Sequence, residues 1–141
     1  RNAFIMYDLL KEVIKNGTAR KAKTLKRPDI AGKTGTTNDL MDAWFAGFNS
    51  DIVTVTWMGY DQPKSLGNKE TGSRAALPIW IDYMRPLLND YPIKNLVKPE
   101  GIIPYKINKK TGMTNNADEN GFYEYFYEEY PPFDNSYFVI N

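Results

Sequence analysis

Met6, Leu9, Leu10, Val13 and Ile14 fall at the i, i+3, i+4, i+7 spacing of one helical face, which predicts an amphipathic helix over residues 2–15. Asn2 is its expected N-cap and Asn16-Gly17 its expected stop. Residues 18–28 are basic, end at Pro28 and read as a connection. The period then shortens to two. Residues 29–37 form a short first strand. In residues 42–49, Trp44, Ala46 and Phe48 alternate with Ala43, Phe45 and Gly47. Asn49-Ser50-Asp51 is a turn signal, and residues 52–58 alternate again, Val53, Val55 and Trp57 against Thr54, Thr56 and Met58. Three strands with short connections imply an antiparallel meander.

Residues 60–72 carry Pro63, Gly67 and Gly72 and read as a loop. A second helix is expected over residues 73–88, with Ala76, Ile79, Trp80, Tyr83 and Leu87 on its apolar face. Pro78 should kink or restart it, and Pro86 falls in its last turn. The fold class is α/β in an α+β layered arrangement, both helices being expected against one sheet face. Five prolines break up the segment from residue 90 on, where residues 103–107 and 121–127 are two further candidate strands. The domain division that follows is residues 1–90 as the main body and residues 91–141 as a small β-rich extension. The aromatic run from Phe122 to Tyr130 could suggest a ligand platform, but is expected to pack the appendage onto a domain.

Composition narrows the chemistry. The 141 residues include no Cys and no His, which excludes disulfides, thiolate zinc sites, Cys nucleophiles and a Ser-His-Asp triad built from these residues. Acid–base work falls to Lys, Asp, Glu or Tyr. The net charge is +1, too balanced for a nucleic-acid surface, and the basic cluster lacks interleaved aromatics. That cluster, Arg20, Lys21, Lys23, Lys26 and Arg27, is expected to be a solvated loop. A chain starting Arg1-Asn2-Ala3 reads as a piece of something longer.

The chemistry-bearing run is Ile30 to Asp39. Gly32-Lys33-Thr34 invites a phosphate-loop reading, but that loop needs a glycine where Arg27 stands, followed here by Pro28, which has no N–H. The better reading is a strand that carries its chemistry on itself. Lys33 supplies charge, the hydroxyls of Thr34 and Thr36 supply directed hydrogen bonds to a carboxylate, and Gly35 lets a ligand come close. A second Lys-Thr-Gly, Lys110-Thr111-Gly112, is expected to be a polar turn.

Lys33-Thr34-Gly35 matches the third signature of the serine penicillin-recognising enzymes. The match extends through Asn16-Gly17-Thr18-Ala19-Arg20, Arg27 to Asp39, Asp42 to Phe48, Trp57 to Asp61 and Leu77 to Trp80. The tail segments Ile107 to Gly112 and Glu124-Tyr125-Phe126 continue it. The chain thus resembles the C-terminal part of the transpeptidase domain of class A, bifunctional penicillin-binding proteins. It holds no Ser-x-x-Lys and no Ser-x-Asn, so the resemblance implies that the nucleophile and second motif come from an upstream part of the same protein.

The implied fold is part of the penicillin-recognition fold, an antiparallel sheet flanked by helices, three strands coming from this chain. The implied activity is peptidoglycan cross-linking through an acyl-serine formed from D-Ala-D-Ala stem peptides, with β-lactams as mimics of the donor. By that resemblance Lys33 and Thr36 are catalytic, through cleft potential and an oxyanion-hole N–H. Thr34, Gly35, Thr36 and Thr37 bind substrate, Thr37 by securing the strand end. No metal and no cofactor is needed, no nucleic acid is involved, and the location implied is the bacterial envelope, outside the inner membrane. Alone, the chain is expected to be inactive and poorly stable. The competing class is a non-catalytic module that binds a carboxylate or D-Ala peptide.

Overall fold

The computed structural model describes residues 1–114 and 121–132. The chain divides into two compact units, one of Met6–Leu96 and one joining Arg1–Ile5 to the chain from Val97 on. It is mixed α/β with antiparallel sheets.

Helix α1 spans Asn2–Lys15, and the amides of Asn16 and Gly17 both close onto the Glu12 carbonyl at its end. Asn2 is the first helical residue rather than the cap expected of it; its Oδ1 accepts a hydrogen bond from the Tyr127 hydroxyl. The apolar stripe is also rotated from expectation. Tyr7 and Ile14 are buried, while Met6 and Leu9 are 52% and 45% exposed. Tyr7 is what turns the helix: its ring meets Phe48 at 6.0 Å and its hydroxyl donates to the Asp29 carbonyl at 2.8 Å. An aromatic with a polar tip can be buried only where that tip finds an acceptor. The connection that follows is itself helical, a 3₁₀ segment Arg20–Leu25 seated on buried Ala22.

The meander is β1 (Ala31–Thr36), β2 (Ala43–Phe48) and β3 (Val53–Met58), antiparallel in that order, as the alternation predicts. Asn49 makes the second turn, its Oδ1 accepting from the amides of Asp51 and Ile52. A π-helical turn, Gly72–Ala76, leads into α2 (Leu77–Leu87). Pro78 therefore marks a restart, in a first turn that needs no proline N–H.

Ala43, Phe45 and Gly47 of β2 face α2, with Phe45 and Trp80 packed edge to face at 5.0 Å. The buried face of α2 is Leu77, Trp80, Ile81 and Met84, whereas Ile79 and Tyr83, expected inside, are exposed. β3 explains the difference. It turns Thr54 and Thr56 inward and leaves Val53 and Val55 outward, 75% and 54% exposed. Trp80 Nε1 donates to the Thr54 carbonyl at 3.2 Å, and Thr56 Oγ1 donates to the Ala76 carbonyl at 3.0 Å. The helix rotates to satisfy these polar groups as well as to bury carbon. Ile14 of α1 joins the core of Phe45 and Trp80, while Tyr7 reaches Phe48, which lies on the other side of β2 from Phe45.

Arg27 is no solvated-loop residue. Its guanidinium pairs bidentately with Asp29 at 2.7 and 2.6 Å, both side chains buried, and also donates to the carbonyls of Leu88, Tyr91 and Pro92. The amide of Lys94 adds a further donor to Asp29. Six hydrogen bonds thereby fix the approach to β1 against the end of α2, which sets where the strand's side chains emerge.

In the second unit, β4 (Ile102–Ile107) and β5 (Phe122–Tyr127) form an antiparallel pair. Pro104 is tolerated because each strand of a two-stranded sheet has a free edge. Tyr125 packs edge to face on Phe4, and Phe126 on Tyr105. Residues 115–120, between the two strands in sequence, lie outside the described residues.

Candidate functional site

β1 is an edge strand of its sheet, and along Lys33-Thr34-Gly35-Thr36 it leaves the core, Lys33 and Thr36 exposed, Thr34 and Gly35 half-buried. Thr34 and Thr36 lie opposite Phe45 and Ala43, so they share one face, while Lys33 and Gly35 lie opposite Ala46 and Trp44. Gly32, the glycine of the phosphate-loop reading, is buried within the strand: a Cβ there would come within 2.6 Å of the Phe45 ring. The fold uses it for packing, with no loop of amides around an anion.

Each hydroxyl of the pair is held from behind. Thr34 Oγ1 lies 2.8 Å from Thr18 Oγ1. Thr36 Oγ1 accepts from the Gly72 amide at 3.0 Å. Lys33 Nζ donates to the Thr34 carbonyl at 2.8 Å, and among the described residues it enters no salt bridge. Thr37 differs from its neighbours. Its Oγ1 accepts from the amides of Met41 and Asp42, which closes the β1–β2 turn. Thr37 therefore secures the strand end, with both its lone pairs used there.

The flanking groups are structural. Trp44 and Trp57 pair across β2 and β3 at 6.0 Å, and Asp42 accepts from Trp57 Nε1 at 2.9 Å. Lys110-Thr111-Gly112 is a turn: Asn108 Oδ1 accepts from the amides of Lys110 and Thr111, and Gly112 takes a φ of 71°. Among the described residues no group of three or more Asp or Glu is placed to hold a metal ion. A groove of about 700 Å³ lies elsewhere, along Lys11, Lys15, Lys23 and Arg27, but its charges are largely paired, Lys11 with Asp8, Lys15 with Glu12 and Arg27 with Asp29.

Thr18 and Gly72 escaped the sequence reading as site residues. They lie 16 and 36 positions from the threonines they meet, and no periodicity reports such contacts. The available signal was that Thr18 stands inside the run extending the Lys-Thr-Gly match. Gly72 is required by space: a Cβ there would lie 2.4 Å from the carbonyl oxygens of both Gly35 and Trp44. Backbone atoms cannot swing aside as a side chain does. Gly72→Ala should therefore cost at least the ~1–3 kcal/mol typical of overpacking. It should also lift the Gly72 amide off Thr36. Urea unfolding checks the first effect and the amide's hydrogen exchange the second.

No family model matches the chain. Among curated proteins it is 49% identical over 133 residues to penicillin-binding protein 1A of Pseudomonas aeruginosa, a match covering 94% of this chain and 16% of that relative. It is 52% identical over 103 residues to penicillin-binding protein 1A of Neisseria lactamica, covering 73% and 13%. The crystal structure of penicillin-binding protein 1A from Haemophilus influenzae superposes with a TM-score of 0.85 at 36% identity, over 93% of this chain and 21% of that one. The chain thus spans 16% and 13% of the lengths of these curated relatives.

Proposed function

Because the chain belongs with the penicillin-binding proteins, as a segment matching the C-terminal part of their 1A members, we propose that it supplies the carboxylate-binding strand of a serine transpeptidase that cross-links peptidoglycan. The observation that carries this is the pair of hydroxyls of Thr34 and Thr36, each anchored from behind on an edge strand beside a lysine without an ion-pair partner among the described residues.

Each role follows from the geometry such chemistry needs. The hydroxyls of Thr34 and Thr36 donate to the terminal carboxylate of a D-Ala-D-Ala stem peptide or of a β-lactam. Gly35 leaves room between them. Lys33 raises the positive potential of the cleft and orients the nucleophile's hydrogen bonds. The Thr36 N–H is one donor to the oxyanion, the other coming from the serine. The serine and its lysine come from upstream in the same protein. Attack on the donor carbonyl forms the acyl-serine and releases D-Ala, and an amine of a neighbouring strand then takes the acyl group. Residues 1–90 belong to that transpeptidase domain and residues 91–141 form an extension to it.

The outward face of the meander supports a missing half. Val53, Val55, Trp57 and Trp44 form an exposed apolar surface, and β3 has a free edge. Such a surface calls for a cover, and upstream chain of the same protein is that cover. The whole works on the outer side of the inner membrane, in the envelope. Among the described residues no helix is long and apolar enough to cross a membrane.

Intact-mass spectrometry of the longer protein, with and without penicillin, tests the reading. One penicilloyl adduct is expected, on a serine outside these 141 residues. Lys33→Ala should slow its formation by about 10²-fold or more, as for loss of one preorganised electrostatic group. An adduct on this segment's own residues would overturn the assignment of the nucleophile. Tight binding of a D-Ala-D-Ala peptide with no adduct at all would make the strand part of a non-catalytic binding module.

A further inference from the structure

We propose that Thr18 is a positioning residue for the carboxylate site: it donates its hydrogen bond to Thr34 Oγ1 and so commits the Thr34 proton to the ligand. This rests on the reading of β1 as a carboxylate-binding strand.

A threonine hydroxyl has one proton and two lone pairs. The Thr18 and Thr34 oxygens are 2.8 Å apart, and the separation is the same whichever of the two donates. The pair therefore has two arrangements. In one, Thr34 spends its proton on Thr18 and offers a ligand only lone pairs. In the other, Thr18 donates, and the Thr34 proton is free to point out. A carboxylate can only accept. Its arrival selects the second arrangement, and the Thr34 O–H, polarised by the bond it receives, becomes the stronger donor.

Thr36 shows the same design with the ambiguity removed. Its oxygen accepts from the Gly72 amide at 3.0 Å, a donor that cannot reverse, so its proton has no need to be spent behind the strand. The two hydroxyls sit two residues apart on one face, each with a partner at its back. Thr18 is well placed for this. The next residue, Ala19, is fully buried and its amide donates to the Val13 carbonyl at 3.1 Å, which fixes the backbone beneath Thr18. The hydroxyl rotor is then the freedom that remains. Thr18 need not touch the ligand; it acts through Thr34 and favours a ligand with an anionic acceptor over a neutral one.

The test uses the longer protein carrying this segment with its upstream serine. Acylation rates are measured with penicillin and with its methyl ester, for wild type, T18V, T18S, T34V and T18V/T34V. T18V should lower the penicillin rate roughly tenfold, the size of one hydrogen bond to a charged group. T18S should restore it. The methyl ester, lacking the anionic acceptor, should show little difference between wild type and T18V. The double variant should be no slower than T34V alone. Equal losses for acid and ester, additive losses in the double variant, or an unchanged T18V rate would each overturn the proposal while leaving the transpeptidase reading standing. A wild type that penicillin does not acylate would overturn both.

Discussion

Arg27→Leu should remove a large part of the fold's stability at 25 °C. The substitution removes a guanidinium that pairs bidentately with Asp29 and donates to three backbone carbonyls. It leaves a buried carboxylate without its counter-ion and those carbonyls without a donor. Removing one partner of a buried pair costs about 3–5 kcal/mol. A domain of this size has only about 5–15 kcal/mol in hand, and this one also exposes an apolar sheet face. Arg27→Lys should recover only part of the loss, since an ammonium cannot form the planar fork. Urea midpoints of the three proteins measure this; an Arg27→Leu chain within 1 kcal/mol of wild type, to use about the median for an exposed pair, would mean that the clamp is ornamental.

The same clamp gives a pH dependence. Burial by itself raises the Asp29 carboxyl, but the hydrogen bonds from Arg27 and the Lys94 amide outweigh it and hold the carboxyl below its ordinary value. Folded Asp29 thus binds its proton less readily than unfolded Asp29. Its contribution is complete above the unfolded value of about 3.9 and is lost as pH falls through the lower folded value. Stability should therefore drop in acid below about pH 4, and Asp29→Asn should flatten that limb of the stability–pH curve.

Trp80→Ala should cost about 3–5 kcal/mol, the range for a large aromatic removed from a core. Trp80 is fully buried, packs on Phe45 and donates to the Thr54 carbonyl. It also rests on the backbone at Gly47, where a Cβ would come within 2.5 Å of its ring. The loss therefore combines a cavity with an orphaned carbonyl. Trp44→Ala, next to Phe45 in β2 but 43% exposed, should cost far less. Guanidinium unfolding of both variants checks the contrast. Comparable losses would place the core on the wrong face of the meander.

Why these two tryptophans differ could not be read from the sequence. Alternation in β2 put Trp44 and Phe45 on opposite faces, and the structure bears that out. It could not say which face lies inside. In β3 the β-branched valines look like core residues and the threonines like surface, yet the threonines are inward, because their hydroxyls and carbonyls meet Ala76, Met84 and Trp80. The same contacts rotate α2, so that Met84 is buried and Tyr83 is not. Periodicity measures carbon along one element, whereas facing is settled by polar partners on another.

The sequence by itself determined the order of the main elements, the meander and its turns, a kink or restart at Pro78, and the strand bearing Lys33, Thr34 and Thr36. These depend on local sterics, proline and glycine backbone limits, and the period of the side chains, all written within a few residues. The tertiary structure alone decided which faces are buried, that Arg27 is clamped to Asp29, and that Thr18 and Gly72 stand behind the two hydroxyls. Those are meetings of groups between 2 and 65 residues apart. Even the nearest pair, Arg27 and Asp29, is a buried clamp only because the carbonyls after α2 close over it.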